Sequence, residues 1–392
     1  MRTSRIASLV AVGAIFLPLL ASTASAVAAS PRTTPPIGRQ LAELTGSDTV
    51  AGDRFGFPVA ISGTTAVVGA WGRARHAGRA YVFTKTAFGW TQVAELKGSD
   101  TVANDLFGES VAISGTTVVV GALLHAKGAG RAYVFIGTGA GWTQVAELKG
   151  SDKVAGDEFG WSVAVSGTTI LAGSDHGQVY VFTKTASGWK QVSELEGADT
   201  VAGDFFSNSV AISGTTAVVG AESHAASAGR AYVFTKTASG WKQTAELEGA
   251  DTVAGDTFGN SVAISGTSVV VGAYAHAKSA GRAYVFAKTG TGWTQAAELK
   301  GSDTVANDNF GGSVAISGTT AVVGAWLHAK HAGRAYVFAK TGTGWTQAAE
   351  LKGSDTVAGD LFGSSVAISG TTAIVSAAGH ADTAGRAYVF EA

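Results

Sequence analysis

Apolar residues fall in short runs separated by glycine-rich punctuation, and the runs come in sets of four. Between Phe107 and Asp157 the runs are Ser110 to Ser114, Thr117 to Gly121, Arg131 to Phe135 and Trp142 to Leu148. Val, Ile, Thr, Tyr, Phe and Trp dominate them, which predicts four short β-strands. No segment carries an apolar stripe of helical period long enough to compete. A Ser-Gly pair separates the first two runs in every set, at Gly63, Gly115, Gly167, Gly214, Gly266, Gly318 and Gly370. A two-residue hairpin loop needs positive φ, and glycine supplies it without steric cost. The connection from the fourth run to the next set ends in Ala-Gly-Asp or Ala-Asn-Asp. A left-handed turn residue is therefore expected at Gly52, Asn104, Gly156 and their equivalents.

The sets repeat with a fixed period. Phe-Gly stands at Phe55, Phe107, Phe159, Phe258, Phe310 and Phe362, with Phe206-Ser207 in the remaining slot; successive copies are 52 residues apart, except for 47 between Phe159 and Phe206. Seven copies of one unit imply a single repeat architecture. The first run is made of small residues and the fourth is wider and more polar, a taper that suits a wedge narrowing toward an axis. Four antiparallel strands repeated seven times predict an all-β, seven-bladed β-propeller. The last copy stops after its third run, at Tyr388 to Ala392. The missing fourth run stands at the other end, where Gln40 to Leu44 matches Gln144 to Leu148. The N-terminal strand is thus expected to complete the seventh blade and remove two open sheet edges. Gly38 replaces there the Trp that opens the other fourth runs (Trp90, Trp142, Trp189, Trp241, Trp293, Trp345).

Phe-Gly, a hairpin, Val-Gly-Ala and then Gly-x-Ala-Tyr-Val-Phe is a pattern that resembles the FG-GAP repeat family, the integrin-α type of propeller, and more closely its secreted bacterial members. The resemblance spans about residues 38 to 392 and implies the propeller fold. The chain departs from the family at two points. Gly-Ala-Pro is replaced by Gly-Ala followed by Trp71, Leu123, Glu222, Tyr274 or Trp326. The Asp-x-Asp-x-Asp-Gly calcium loop is replaced by Ser-Gly-Thr-Thr or Ser-Gly-Thr-Ser, which offers a hard cation no carboxylate. No cofactor is therefore expected, and calcium is possible only at the loop aspartates.

Arg2 and Arg5, the apolar run Ile6 to Leu20 and the small residues Ala21 to Ala29 have the form of a secretory signal peptide. Residues 1–29 are read as that signal, 30–37 as a proline-rich linker and 38–392 as the propeller. The expected location is secreted, extracellular or at the cell surface, with no membrane span in the mature chain. The chain lacks cysteine, so no disulfide framework holds it. A formal net charge of −1, with no basic face, argues against nucleic acid as a partner.

Comparison of the copies locates the candidate chemistry. The hairpin glycine and Tyr-Val-Phe barely change, whereas three loop positions change freely. Strand alternation puts the four-to-one and two-to-three connections on the same face, so the variation collects there. The candidate ligand-binding residues are Trp71, Phe57, Glu109, Trp161, Asn208, Glu222, Asn260, Tyr274 and Trp326. Aromatic, amide and acidic groups on a rigid scaffold suit a glycan or an extracellular protein partner. The alternatives are an axial hydrolase or lyase acting on polysaccharide, and a structural or adhesive surface protein. No nucleophile elbow and no unique catalytic set is visible, so the expectation is a monomeric, non-catalytic binding scaffold. His125, His224, His276, His328 and His380 are expected to be solvated and not to ligate metal. The loop aspartates are expected to cap turns, and Arg79, Arg131, Arg230, Arg282, Arg334 and Arg386 to pair with them. The third blade is shorter, with Asp175-His176-Gly177 and Gln178 in place of the arginine, which marks it as the exceptional sector near Trp161 and Lys153.

Overall fold

The computed structural model describes residues 36–152, 154–290 and 292–392, and these form a closed ring of seven four-stranded antiparallel sheets. Residues 1–35, read above as a signal peptide and most of the linker, lie outside the described residues, as does Lys153. Blade one holds Val59–Ser62, Thr65–Ala70, Arg79–Thr86 and Gly89–Leu96, from the axis outward. Blades two to six repeat that order. Blade seven takes three strands from Phe362–Ser369, Thr372–Ala377 and Arg386–Glu391, and its outermost strand is Gln40–Leu44. The N-terminal strand therefore closes the ring, pairing Glu43 with Tyr388 and Leu44 with Ala387.

Each apolar cluster lies between two blades. Phe55, from the loop entering blade one, is fully buried against Tyr81 and Phe83, with ring centroids 5.5 and 6.0 Å away. The same Phe–Tyr–Phe trio recurs at every blade. Leu44 of the closing strand joins the cluster shared by blades seven and one. The repeated Phe is thus the wedge that spaces adjacent blades.

The hairpin face is held by one repeated bond. The serine ending each innermost strand accepts the amide of the hairpin glycine in the next blade, from Ser62 to Gly115 onward. Ser369 accepts from Gly63 at 2.9 Å, which carries the series across the closing seam. The hairpin glycines have φ of 56° to 59°, and Gly52, Asn104 and Gly156 are left-handed as expected. The strands run longer than their apolar runs. In blade two they are Phe107–Ser114, Thr117–Ala122, Arg131–Thr138 and Gly141–Leu148.

Candidate functional site

The four-to-one and two-to-three loops share one face and bind each other. Except in blade three, the two-to-three loop makes a left-handed turn, such as His125–Gly128 with Ala126 at φ 55° and Lys127 at φ 63°. Its carbonyls accept amides from the loop entering the next blade. Consecutive non-glycine residues in this region are strained, and nothing in the local sequence announces them.

The paired aspartates organise this face. The second of each pair accepts a backbone amide three residues earlier, as Asp105 does from Val102 at 2.7 Å, which is the expected turn cap. The first accepts the hydroxyl of the buried tyrosine, as Asp100 does from Tyr133 at 2.7 Å. Burial, followed by that bond to an anion, pushes each of these tyrosine hydroxyls well above the ordinary range.

Two expectations are corrected here. The repeated histidines are not solvated: the His125 side chain is only 13 % exposed, and Nδ1 lies 2.8 Å from Asp105 and Nε2 3.4 Å from Asp100. In blade one Arg73 takes that place between Asp48 and Asp53. The repeated arginines do not pair with the aspartates. Arg131 Nε donates to Glu147 in the fourth strand at 2.7 Å, and its Nη1 donates to the Gly130 carbonyl. Both ends of the pair are fixed by strand register, which brings Arg131 and Glu147 to the same end of the third and fourth strands. The series closes with Arg386 and Glu43.

Among the described residues one group, Asp199, His224 and Glu246, offers three potential metal-ligand atoms within 4.8 Å of one another. Each is already engaged, with Tyr232, Asp204 and Arg230 respectively.

The variable positions converge at the axis. A cavity of about 470 Å³ is lined by Phe57 and Trp71 of blade one, Asn208 and Glu222 of blade four, Asn260 and Tyr274 of blade five, and Trp326 of blade six. Residues from non-adjacent blades can share one cavity only at the axial mouth. The small apolar residues of all seven innermost strands, Val-Ala-Ile in six blades and Val-Ala-Val in blade three, line a second axial cavity. Trp161 adjoins the cavity by donating Nε1 to Asn208 Oδ1 at 3.3 Å. Glu109 lies within the field of Arg54, whose guanidinium sits 5.4 Å from the Trp71 ring centroid.

A chain of amides shapes the rim. Asn208 Nδ2 donates to the Asn260 carbonyl at 3.2 Å, and Asn260 Nδ2 donates to the Gly312 carbonyl at 3.1 Å. A side chain at Gly312 would meet Trp326 Nε1 at 2.7 Å, so this glycine leaves the room that Trp326 occupies. Among the described residues six side-chain polar atoms are buried without a hydrogen-bond partner, and two of them belong to the cavity lining, the donor Trp71 Nε1 and the acceptor Asn260 Oδ1. Buried polar atoms are rarely left so. Burial pushes the Glu109 carboxyl up to about 8, with Arg54 opposing, and burial likewise raises Glu222. Tyr274 is raised by burial and then by Glu222.

Comparison with known proteins follows the same geometry. The FG-GAP repeat model matches residues 39–83, 90–135, 142–182, 189–234, 241–286, 293–338 and 345–390. Each match begins in the outermost strand of one blade and ends in the third strand of the next, the permutation that closes the ring. No curated protein matches the chain. A chain in a crystal structure of the mitotic checkpoint complex is similar at 12 % identity, over 96 % of this chain and 99 % of that one, with a TM-score of 0.60. The computationally designed Ika8 protein is similar at 15 % identity, over 86 % and 83 %, with a TM-score of 0.52. At these identities the likeness is one of fold. FG-GAP propellers generally mediate binding or adhesion. No helix among the described residues is long and apolar enough to cross a membrane. With seven matched repeats and the ring they build, the chain belongs to the FG-GAP repeat family.

Proposed function

We propose that this propeller is an exported, monomeric, non-catalytic binding scaffold that takes the end of a glycan in the axial mouth of its loop face. The observation that carries the reading is the 470 Å³ cavity that gathers aromatic, amide and acid side chains from separate blades. Its volume falls within the range of small-ligand sites. Trp71, Trp326, Tyr274 and Phe57 offer flat apolar faces on which the C–H face of a sugar ring can lie. Asn208, Asn260 and Glu222 offer the polar contacts that hydroxyl groups need, and the unpaired Trp71 Nε1 and Asn260 Oδ1 supply a donor and an acceptor.

The carboxyl groups support binding over hydrolysis. Glycosidases push two carboxyls apart, so that one is protonated and the other ionised. Here Glu109 and Glu222 are both pushed upward by burial. The Glu109 carboxyl, pushed up to about 8, can donate a hydrogen bond to a sugar oxygen at neutral pH.

The test is a glycan array probed in calcium and again in EDTA, with reducing-end release measured on each glycan bound. The reading expects saturable binding in both buffers and no release. Release of reducing ends would move the site to a hydrolase. Binding lost in EDTA would assign the loop aspartates to calcium.

A further inference from the structure

The third blade carries a second opening, away from the axis. At the junction of blades four and five, Ala226, Ser227 and Ala228 present carbonyls to the amides of Gly255, Thr257 and Phe258 at 3.1, 2.8 and 3.1 Å. The other junctions that follow a full-length loop carry two or three such bonds; that of blades two and three keeps Glu158 on Gly128 and Phe159 on Ala129. The shortened loop of blade three instead folds back on itself, with the Gly177 amide on the Ser174 carbonyl at 3.0 Å. Among the described residues Gly203 and Phe205 have no hydrogen-bond partner for their amides, and Phe206 makes no backbone bond to blade three. The gap is visible in the glycines too. A methyl group on Gly229 would collide with the Phe258 carbonyl, whereas on Gly177 it would lie 3.6 Å from that of Phe206.

A cleft of about 390 Å³ stands where the missing turn would be, between Asp175–Gln178 and the loop from Glu196 to Phe206. Phe205 is 44 % exposed at its edge. In blade four Arg230 bonds Glu246 and Glu248 at 2.9 and 2.8 Å. Blade three keeps the matching acids, Glu194 and Glu196, but has Gln178 where the arginine would be. Glu196 lines the cleft with no cationic partner among the described residues.

We propose that this cleft is a peptide-docking site. Its ligand is a short turn of small residues followed by arginine, presented by a protein partner, which replaces the missing loop. Three consecutive carbonyls of the peptide take the amides of Gly203, Phe205 and Phe206, and its arginine meets Glu196. The inference is independent of the glycan reading, since it concerns another cavity and another ligand.

The probe is a fluorescein-labelled peptide, His-Ala-Ala-Ser-Ala-Gly-Arg, copied from residues 224–230 and titrated with the whole protein by anisotropy. Saturable binding is expected, weakened about tenfold or more when Asp175-His176 is replaced by the Glu-Ser-His-Ala-Ala-Ser-Ala of residues 222–228, which fills the cleft from within. Glu196→Gln should weaken binding severalfold. Amide exchange on the unaltered protein gives a second reading: Gly203 and Phe205 exchange fast alone and slow on adding peptide. No saturable binding, equal binding to the filled-cleft variant, or unchanged exchange at Gly203 and Phe205 would overturn the proposal.

Discussion

The two mouths of the ring are built from the same seven copies and have opposite characters. At the hairpin mouth every blade offers the same serine and glycine, and their bonds repeat around the whole circle, across the seam at Ser369 and Gly63. At the loop mouth the equivalent positions hold Phe57, Glu109, Trp161, Asn208, Asn260, Gly312 and Ser364. The outer part of that same face is again repetitive, with Tyr–Asp, His–Asp and Arg–Glu contacts in nearly every blade. Apart from the shortened loop of blade three and Arg73 of blade one, variation on that face is therefore concentrated at the axial rim. It can be tolerated there because the Phe–Tyr–Phe wedges and the loop network carry the geometry, so the rim positions are free to differ without opening the ring.

Removing the seam should break both mouths at once. Deletion of residues 37–44 takes away Leu44, the Arg386–Glu43 pair and the Gln40–Ser354 bond, and uncovers the edge of the Arg386–Glu391 strand. The expected loss exceeds about 5 kcal/mol or appears as aggregation; an unchanged melting temperature would contradict ring closure. A wedge comes next. Phe258→Ala empties a fully buried site between blades four and five and should cost about 3–5 kcal/mol in denaturant unfolding.

The loop mouth should show its own pH dependence. Glu109 has a pKa of about 8 in the fold against 4.5 when exposed. Between those values the folded state holds a proton that the unfolded chain has released, so stability falls as pH rises through that window and levels off above it. Glu109→Gln removes the fall. The variant should match the parent near pH 5 and exceed it by roughly 1–3 kcal/mol near pH 8, read as the difference between two melting-against-pH curves. The hairpin mouth should be the least sensitive. Ser265→Ala removes one exposed acceptor from Gly318 and should cost no more than about 1 kcal/mol, independent of pH.

Much of the scaffold was legible in the chain. The Phe-Gly spacing gave the blades, the Ser-Gly pairs gave the hairpins, and Gln40–Leu44 announced its own partner by matching Gln144–Leu148. These signals are local, or are repeated seven times. The histidine contacts were missed because Asp105 and His125 lie in different loops, and arginine looked the more natural partner for an aspartate. Blade one held the clue, since Arg73 stands where five of the other blades have histidine. The left-handed turns left no mark because alanine and lysine fill them. Comparison of the seven copies marks the nine candidate residues as variable positions of one face. That seven of them line one cavity follows from ring closure, which sets residues far apart in sequence around one axis. The raised Glu109 and the unpaired Asn260 Oδ1 depend on neighbours from other blades and have no sequence signature.

The central claim is that the axial mouth binds. The most direct measurement compares the parent protein with a Trp71→Ala/Trp326→Ala variant on the same glycan array, after melting curves establish that both are folded. Both tryptophans lie at the rim, outside the inter-blade clusters, so the two proteins should melt alike. The account predicts saturable binding by the parent and at least about a tenfold loss in the variant, or 1.4 kcal/mol. Equal binding by both proteins, or binding by neither, would contradict it.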